Sequence, residues 1–242
     1  MYYVPPPPRH QPALEGRLRT IVRVELLVLF AATAGPNLVF GLSGISDPQT
    51  VQTDIPVTTL IASLLASLGP AAIAGYLLWR DGCLEAAGFA TPRPLALLGQ
   101  TGLAFVCAIG AAIGAGIIVT AILAATGHEL NPVSNADKPE IGVGFALTAL
   151  AISATAGISE EAVYRGYGIT RMEQAGWPRA AVVVPLLVWT AQHLYAGPVA
   201  VFVVGCVGIP FVWLFWWKRS VWPLMLGHAC YDVLIFFLNT AR

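Results

Sequence analysis

The sequence predicts an all-α, polytopic membrane protein of about seven transmembrane helices, on two observations. Hydrophobic residues make up 57% of the 242-residue chain and charged residues only 11%, whereas a soluble globular domain usually carries about a quarter charged residues. The apolar residues also fall into runs of about 20, which is the length that an α-helix needs to cross the hydrocarbon core of a bilayer.

Seven such runs follow one another along the chain, after a proline-rich opening. The candidate spans are 20–42, 57–79, 97–126, 141–170, 180–196, 198–217 and 220–240. Pro198 favours the first turn of a helix, so a tight turn separates the fifth and sixth spans. We expect residues 1–19 to form a cytosolic tail, because YYVPPPPRHQP favours extended polyproline structure. Residues 20–242 then form one helical membrane domain.

The positive charges are distributed unevenly between the predicted loops. With the N-terminus inside, ten of the thirteen Lys and Arg residues fall on the inner side. They are Arg9, Arg17, Arg19, Arg23, Arg80, Arg93, Arg171, Arg179, Lys218 and Arg219. The positive-inside rule therefore predicts a cytoplasmic N-terminus and an outer C-terminus. Abundant Ala, Gly and Pro suggest a bacterial plasma membrane, and a formal net charge of zero gives no reason to expect nucleic-acid binding.

A few charged or ionisable side chains lie inside the predicted spans, where each costs about 2.5 kcal/mol or more and by default marks function or a paired structural site. Three different spans contribute them, all within residues 140–240. They are Glu160, Glu161 and Arg165 in the fourth span, His193 in the fifth, and His228 and Asp232 in the seventh.

Helical spacing sorts these residues into pairs. Glu161 and Arg165 are four residues apart, so they lie on the same helix face and can neutralise each other. Glu160 is turned about 100° from Glu161, and it is expected to be a separate carboxylate that faces a polar interior. His228 and Asp232 are also four apart, and the carboxylate can fix the imidazole tautomer, or both can point into one cavity.

Depth in the membrane brings the three helices together. Counted from the predicted inner ends, Glu160, His193 and His228 lie roughly 17, 21 and 14 Å deep, at 1.5 Å per residue. Three helices that place polar groups at one level predict a single site.

A carboxylate with two histidines suggests hydrolysis by an activated water, with Glu160 as general base and the histidines as hydrogen-bond donors to the water or to an oxyanion. Cys230 is displaced about 200° from His228 and is discounted as a nucleophile. Glu160, His193 and His228 also form the ligand types of a catalytic zinc ion, although the HExxH spacing is absent. The residue types and their spacing therefore leave metal-free and zinc-dependent chemistry both open.

Three motifs give the chain a family resemblance. EEAVYR, residues 160–165, matches EExxxR; WTAQH, residues 189–193, is similar to FxxxH with tryptophan in place of phenylalanine; and HACYD, residues 228–232, matches HxxxN/D. In this order on successive late helices, the motifs resemble those of the CPBP (Abi/CAAX protease) family of intramembrane peptidases, which includes the type II CAAX prenyl endopeptidases. The resemblance covers about residues 140–240.

The resemblance implies roles for these residues. Glu160 would activate water, His193 would assist it, and His228 with Asp232 would help to stabilise the oxyanion. The chemistry would be metal-free with no cofactor, and zinc is the alternative. The substrate would be a membrane-associated protein or peptide, with lipidated substrates included. This chain departs from the family pattern at Trp189, which is bulkier than phenylalanine, and at Asp232, which is acceptor-only when ionised.

Two other functions compete with an intramembrane endopeptidase. A non-catalytic membrane immunity or binding protein could keep the motifs as a structural polar core. A proton-coupled transporter could use Glu160 and the histidines as a relay, although an odd number of spans and the lack of repeated halves argue against it.

Overall fold

A computed structural model describes residues 16–42, 57–128 and 142–240, and every regular element in these ranges is helical. The longer helices are α1 (Gly16–Leu42), α2 (Val57–Arg80), α3 (Pro94–Thr126), α4 (Val143–Glu160), α6 (Pro178–Ala191), α7 (Pro198–Lys218) and α8 (Trp222–Thr240). A π-helical segment, Glu161–Ile169, and a short helix α5, Thr170–Gln174, continue α4. The predicted all-α membrane fold is confirmed.

The helix bounds differ from the predicted spans at two places. α1 begins at Gly16, so the last four residues of the predicted tail are helical, while residues 1–15 lie outside the described part of the chain. The fifth span was predicted to reach residue 196, but α6 ends at Ala191 and a 3₁₀ turn, Leu194–Ala196, follows it. The turn forms because Gly197, at a φ of 85°, redirects the chain into α7.

By length and hydropathy, four helices of the described chain can cross a membrane. α2 and α6 contain shorter apolar stretches, Leu64–Arg80 and Pro178–Ala191. α8, which carries a histidine and an aspartate in mid-helix, is not among the four. The four spans are Gly16–Val39, Pro94–Thr126, Val143–Gln174 and Pro198–Lys218.

α8 packs tightly between α3 and α4 because glycines remove the side chains at both contacts. A Cβ on Gly157 of α4 would lie 2.5 Å from the Met225 carbonyl oxygen of α8. A Cβ on Gly227 of α8 would lie 2.8 Å from the Ala104 Cβ of α3. Close approach through small residues is a general way of packing membrane helices. Here it fixes α8 against α4, the helix that leads into EExxxR.

The π-helical segment holds most of the EExxxR motif, and all nine of its residues are buried. π-Helical turns are rare and often occur at functional sites. Gly166 and Gly168 let neighbouring rings approach, because a Cβ on either would lie 3.0 Å from a ring atom of Phe89 or Phe30, respectively. The segment is therefore enclosed on several sides and holds its side chains in fixed directions.

Charged residues join α1, α2 and α5 at one end of the bundle. Arg171 of α5, only 1% exposed, pairs with Asp81 and lies 3.6 Å from Glu25 of α1. Arg80 bonds both carboxylates, at 2.8 Å to Glu25 and 2.7 Å to Asp81. Tyr167 donates to Glu25 at 2.8 Å. This end is where the predicted topology gathers the positive charges, and it anchors the far end of the π-helical segment.

Candidate active site

The two glutamates at the start of the motif lie where α4 passes into the π-helical segment, and α8 and α6 bring the other polar residues to them. Of the six predicted site residues, the most deeply buried are Glu161, Arg165 and His228, at 0%, 0% and 5% exposure. Arg165 Nη1 donates to Glu161 Oε1 at 3.0 Å, as the four-residue spacing predicted. The same oxygen lies 2.9 Å from His228 Nδ1, a contact that the spacing did not predict.

This contact sets the orientation of the His228 ring. A carboxylate oxygen that already accepts from Arg165 is an acceptor for the ring as well, so the proton between the two residues is assigned to His228 Nδ1. The other ring nitrogen, Nε2, then faces the remaining carboxylates. It lies 3.9 Å from Glu160 Oε2 and 3.5 Å from Asp232 Oδ2. The predicted His228–Asp232 pair is therefore present, and Glu160 faces the same nitrogen.

Trp189 of α6 completes the surroundings of Glu160. Its indole Nε1 donates a hydrogen bond to Glu160 Oε2. The ring is 2% exposed and lies 5.9 Å from the His228 ring, centroid to centroid, at nearly a right angle. The Arg165 guanidinium lies over its face at 4.5 Å. Trp189 therefore contacts the base candidate on one side and the structural charge pair on another.

His193 lies beside this cluster, in the turn after α6. Its Nδ1 is 2.9 Å from the Trp189 carbonyl oxygen, and its ring centroid is 5.4 Å from that of Trp189. It also stacks against Tyr195 at 6.1 Å. Within the described helices His193 makes no hydrogen bond or ion pair with Glu160, so one aromatic ring separates the two residues that depth placed together.

The residues of the cluster differ in exposure to solvent. The side chains of Glu160 and Asp232 are 16% and 26% exposed, whereas Glu161 and Arg165 are fully buried. His228 contacts both sets of residues: its Nδ1 is bonded to the buried Glu161, and its Nε2 faces the partly exposed carboxylates of Glu160 and Asp232. Such an arrangement can hold a water molecule against two carboxylates and an imidazole whose tautomer is fixed.

The three proposed zinc ligands, Glu160, His193 and His228, come from separate parts of the chain. His193 Nδ1 is engaged by a backbone carbonyl, and His228 Nε2 is 3.9 Å from Glu160. In the described part of the chain no group of three or more His, Cys, Asp or Glu side chains is placed to hold a metal ion. The zinc alternative therefore stays a prediction, which chelation can test.

Besides the contact of His228 with Glu161, sequence reasoning missed two hydrogen bonds of the site. The first is the indole donor of Trp189, which was expected only to add bulk. The second is a buried hydrogen bond, 2.9 Å long, from the Tyr164 hydroxyl to Gln192 Oε1, which ties the π-helical segment to the end of α6. Both residue types carry a donor or acceptor that needs a partner when buried. That requirement was the available signal, but it does not name the partner.

Comparison with known protein families gives an independent result. Residues 142–234, less than half of the chain, match the family described as type II CAAX prenyl endopeptidase Rce1-like. This segment contains all six site candidates, and the match confirms the resemblance predicted from the three motifs. This segment is therefore similar to membrane proteases of the CAAX type. No curated protein and no solved structure matched the chain.

Proposed function

Since residues 142–234 belong to the CAAX protease family, we propose that the protein is an intramembrane endopeptidase in which Glu160 activates the attacking water. The substrate is a peptide bond of a membrane-associated protein or peptide, with lipidated substrates included. The observation that carries this proposal is the 3.9 Å separation of Glu160 Oε2 from His228 Nε2 within an apolar helical bundle.

That separation suits a water molecule between the two groups. A gap beyond about 3.5 Å between polar atoms is long for a direct hydrogen bond and is commonly bridged by water. Glu160 is also the glutamate of the pair that remains partly exposed, whereas Glu161 is fully buried and committed to Arg165 and His228. Glu160 is therefore the base, and Glu161 is a positioning residue.

In the proposed reaction, Glu160 accepts a proton from water while the water oxygen attacks the scissile carbonyl carbon. The tetrahedral intermediate carries an oxyanion. His228 stabilises it as an imidazolium, which donates from Nε2 while its Nδ1–H remains bonded to Glu161. Glu160 then returns the proton to the amide nitrogen as the C–N bond breaks. One water is consumed, and a carboxylic acid and an amine are released without another reactant.

The other two site candidates have supporting roles in this proposal. Asp232 lies 3.5 Å from His228 Nε2, and its charge favours a proton on that nitrogen. His193 is fixed through Nδ1 by the Trp189 carbonyl, which leaves its Nε2 edge available to the substrate or to the water. Both roles follow the family motifs, and His193 requires the substrate or a water to bridge it to Glu160.

The proposed location is a bacterial plasma membrane, with the N-terminus in the cytoplasm and the C-terminus outside. Four helices able to cross a bilayer support a membrane location. The network of Arg80 and Arg171 at one end of the bundle agrees with the inner side of the predicted topology. In this orientation, cleavage would take place within the bilayer near its centre.

The experiment that tests this function is cleavage of a pool of lipidated and transmembrane peptides by purified protein in detergent. Wild type is compared with Glu160→Gln, each with and without a strong zinc chelator. Glu173→Gln is the matched control, because Glu173 lies farther along the same continuous helix and pairs with Arg219 at 2.7 Å, away from the site.

We expect wild type and Glu173→Gln to cleave the same peptides with or without chelator, and Glu160→Gln to lose cleavage by at least about 1,000-fold while staying folded. Chelator-sensitive cleavage would instead favour metal-dependent chemistry. Cleavage that survives Glu160→Gln would exclude Glu160 as the base. Substrate-dependent proton flux without cleavage would favour the transporter, and binding without either would favour the immunity or binding protein.

A further inference from the structure

Trp189 stands where the family motif has phenylalanine, and its indole differs from a phenyl ring in carrying a donor. That donor, Nε1, is directed to Glu160 Oε2. A phenylalanine at this position would fill much of the same apolar space and make no such hydrogen bond. The substitution therefore changes the surroundings of the proposed base by one N–H group.

The indole is held so that its N–H cannot turn away from Glu160. On the α7 side, a Cβ on Gly208 would lie 2.5 Å from Trp189 Cζ3, so the glycine makes room for the six-membered ring. On the ring face, the Arg165 guanidinium lies 4.5 Å from the centroid. His228 packs at nearly a right angle, 5.9 Å away. The donor is thus oriented before substrate binds.

A fixed donor on one carboxylate oxygen restricts the rotation of the whole carboxylate. With Oε2 engaged, Glu160 presents a single orientation towards His228 Nε2 and leaves Oε1 to accept further bonds. Arg165 stacks on the same indole, so the buried charge pair and the base share a common support. A preorganised base avoids reorientation during the reaction.

From these contacts we propose that Trp189 is a positioning residue that orients Glu160 to accept the proton of the attacking water, with Gly208 and Arg165 holding its ring. The inference rests on the proposed function, since it assumes that Glu160 is the base. A hydrogen bond to a charged group is strong enough to change a rate about 10- to 100-fold when it is removed. The effect is expected in kcat, because Trp189 contacts the base and is too buried to bind substrate.

The first test removes the N–H and keeps the ring. Trp189 is replaced by 3-benzothienylalanine, in which sulfur takes the place of the indole N–H, and in parallel by phenylalanine. Trp216→Phe is the matched control, because Trp216 lies on the outer face of α7 and is 54% exposed. We expect kcat to fall about 10- to 100-fold in both Trp189 variants, with KM within about twofold of wild type, and no change in the control.

The second test does not depend on peptidase activity. The indole N–H resonance of Trp189, assigned by its absence from Trp189→Phe, is followed by NMR in wild type and in Glu160→Gln. Replacing the charged acceptor by a neutral amide is expected to move this resonance upfield. An unmoved resonance, or wild-type kcat in the benzothienylalanine variant, would overturn the positioning role.

The two tests distinguish a failure of this inference from a failure of the proposed function. If Glu160→Gln keeps its peptidase activity, the proposed base is wrong, whatever Trp189 does. If Glu160 is required and the benzothienylalanine variant works at full rate, only the role of Trp189 fails. The benzothienylalanine variant keeps the shape of the ring, so it remains informative where Trp189→Phe leaves a cavity beside Gly208.

Discussion

Replacing Arg165 with methionine is expected to destabilise the protein strongly, because it would leave a fully buried carboxylate without its cation. Arg165 and Glu161 are both 0% exposed and are joined by a 3.0 Å hydrogen bond. Methionine is unbranched and adaptable and fills much of the arginine's volume. The change therefore removes mainly the charge and its donors.

The size of the effect follows from what each residue retains. Removing one partner of a buried ion pair usually costs about 3–5 kcal/mol. Glu161 keeps its 2.9 Å contact with His228, which places the loss in the lower part of that range. The substitution also removes the contact of the guanidinium with the Trp189 ring, which increases the loss by about 1–2 kcal/mol at most. We expect the free energy of unfolding to fall by about 4 kcal/mol.

A double-mutant cycle of Arg165→Met and Glu161→Gln measures this coupling. The free energy of unfolding is obtained by SDS titration in mixed micelles for the wild type, both single variants and the double variant. The double variant is expected to be destabilised no more than either single variant, because removing both charges leaves neither unpaired.

A second pair serves as the control for burial. Arg219 and Glu173 are joined by two hydrogen bonds, but their side chains are 18% and 24% exposed. Their coupling energy is expected to be about 1 kcal/mol or less. Additive losses at Arg165 and Glu161, or equal coupling in the two pairs, would refute the argument that burial makes the first pair strong.

Three further predictions concern packing, pH and topology. Gly157→Ala would place a Cβ 2.5 Å from the Met225 carbonyl oxygen, so α8 must shift, and peptidase assays should show a loss of at least about tenfold. Arg80, hydrogen-bonded to Asp81, holds the pKa of that carboxyl below its usual value. This contact stabilises the fold above about pH 4, and unfolding titrations should show that the stabilisation is lost as pH falls through the lowered pKa. The decrease in the free energy of unfolding should be smaller in Asp81→Asn, which has no carboxyl at this position. Reporter fusions within residues 127–140 should show that this loop lies outside the cytosol, and a cytosolic signal would contradict the topology.

Much of the fold could be predicted because apolar run length is a direct consequence of bilayer thickness. All seven predicted spans overlap a helix, and Pro198 begins α7 as expected. The end of α6 could not be predicted in the same way, since residues 192–196 contain no glycine or proline that would stop a helix before Gly197. Their helix is stopped by the turn at Gly197 and by tertiary contacts such as Tyr164 with Gln192. Run length does not report such contacts.

The site was predictable where its contacts are local. The Glu161–Arg165 and His228–Asp232 pairs follow from four-residue spacing on one helix. The contact of His228 with Glu161 and the contact of Trp189 with Glu160 join different helices, so their partners depend on helix rotation and packing. The π-helical segment was also missed, because an i→i+5 turn leaves no distinct hydrophobic period in the sequence.

The separation of the site along the chain has a consequence for biosynthesis. Glu161 and His228 are 67 residues apart, and α8 is made after α4 and α6. While α4 inserts, Glu161 already has Arg165 on its own helix, so their charges can enter the bilayer as a neutral pair. Glu160 meets His228 only after α8 has packed beside Gly157. The nascent chain would therefore gain its proposed hydrolytic centre only after α8 has been made, later than the helix that carries the proposed base.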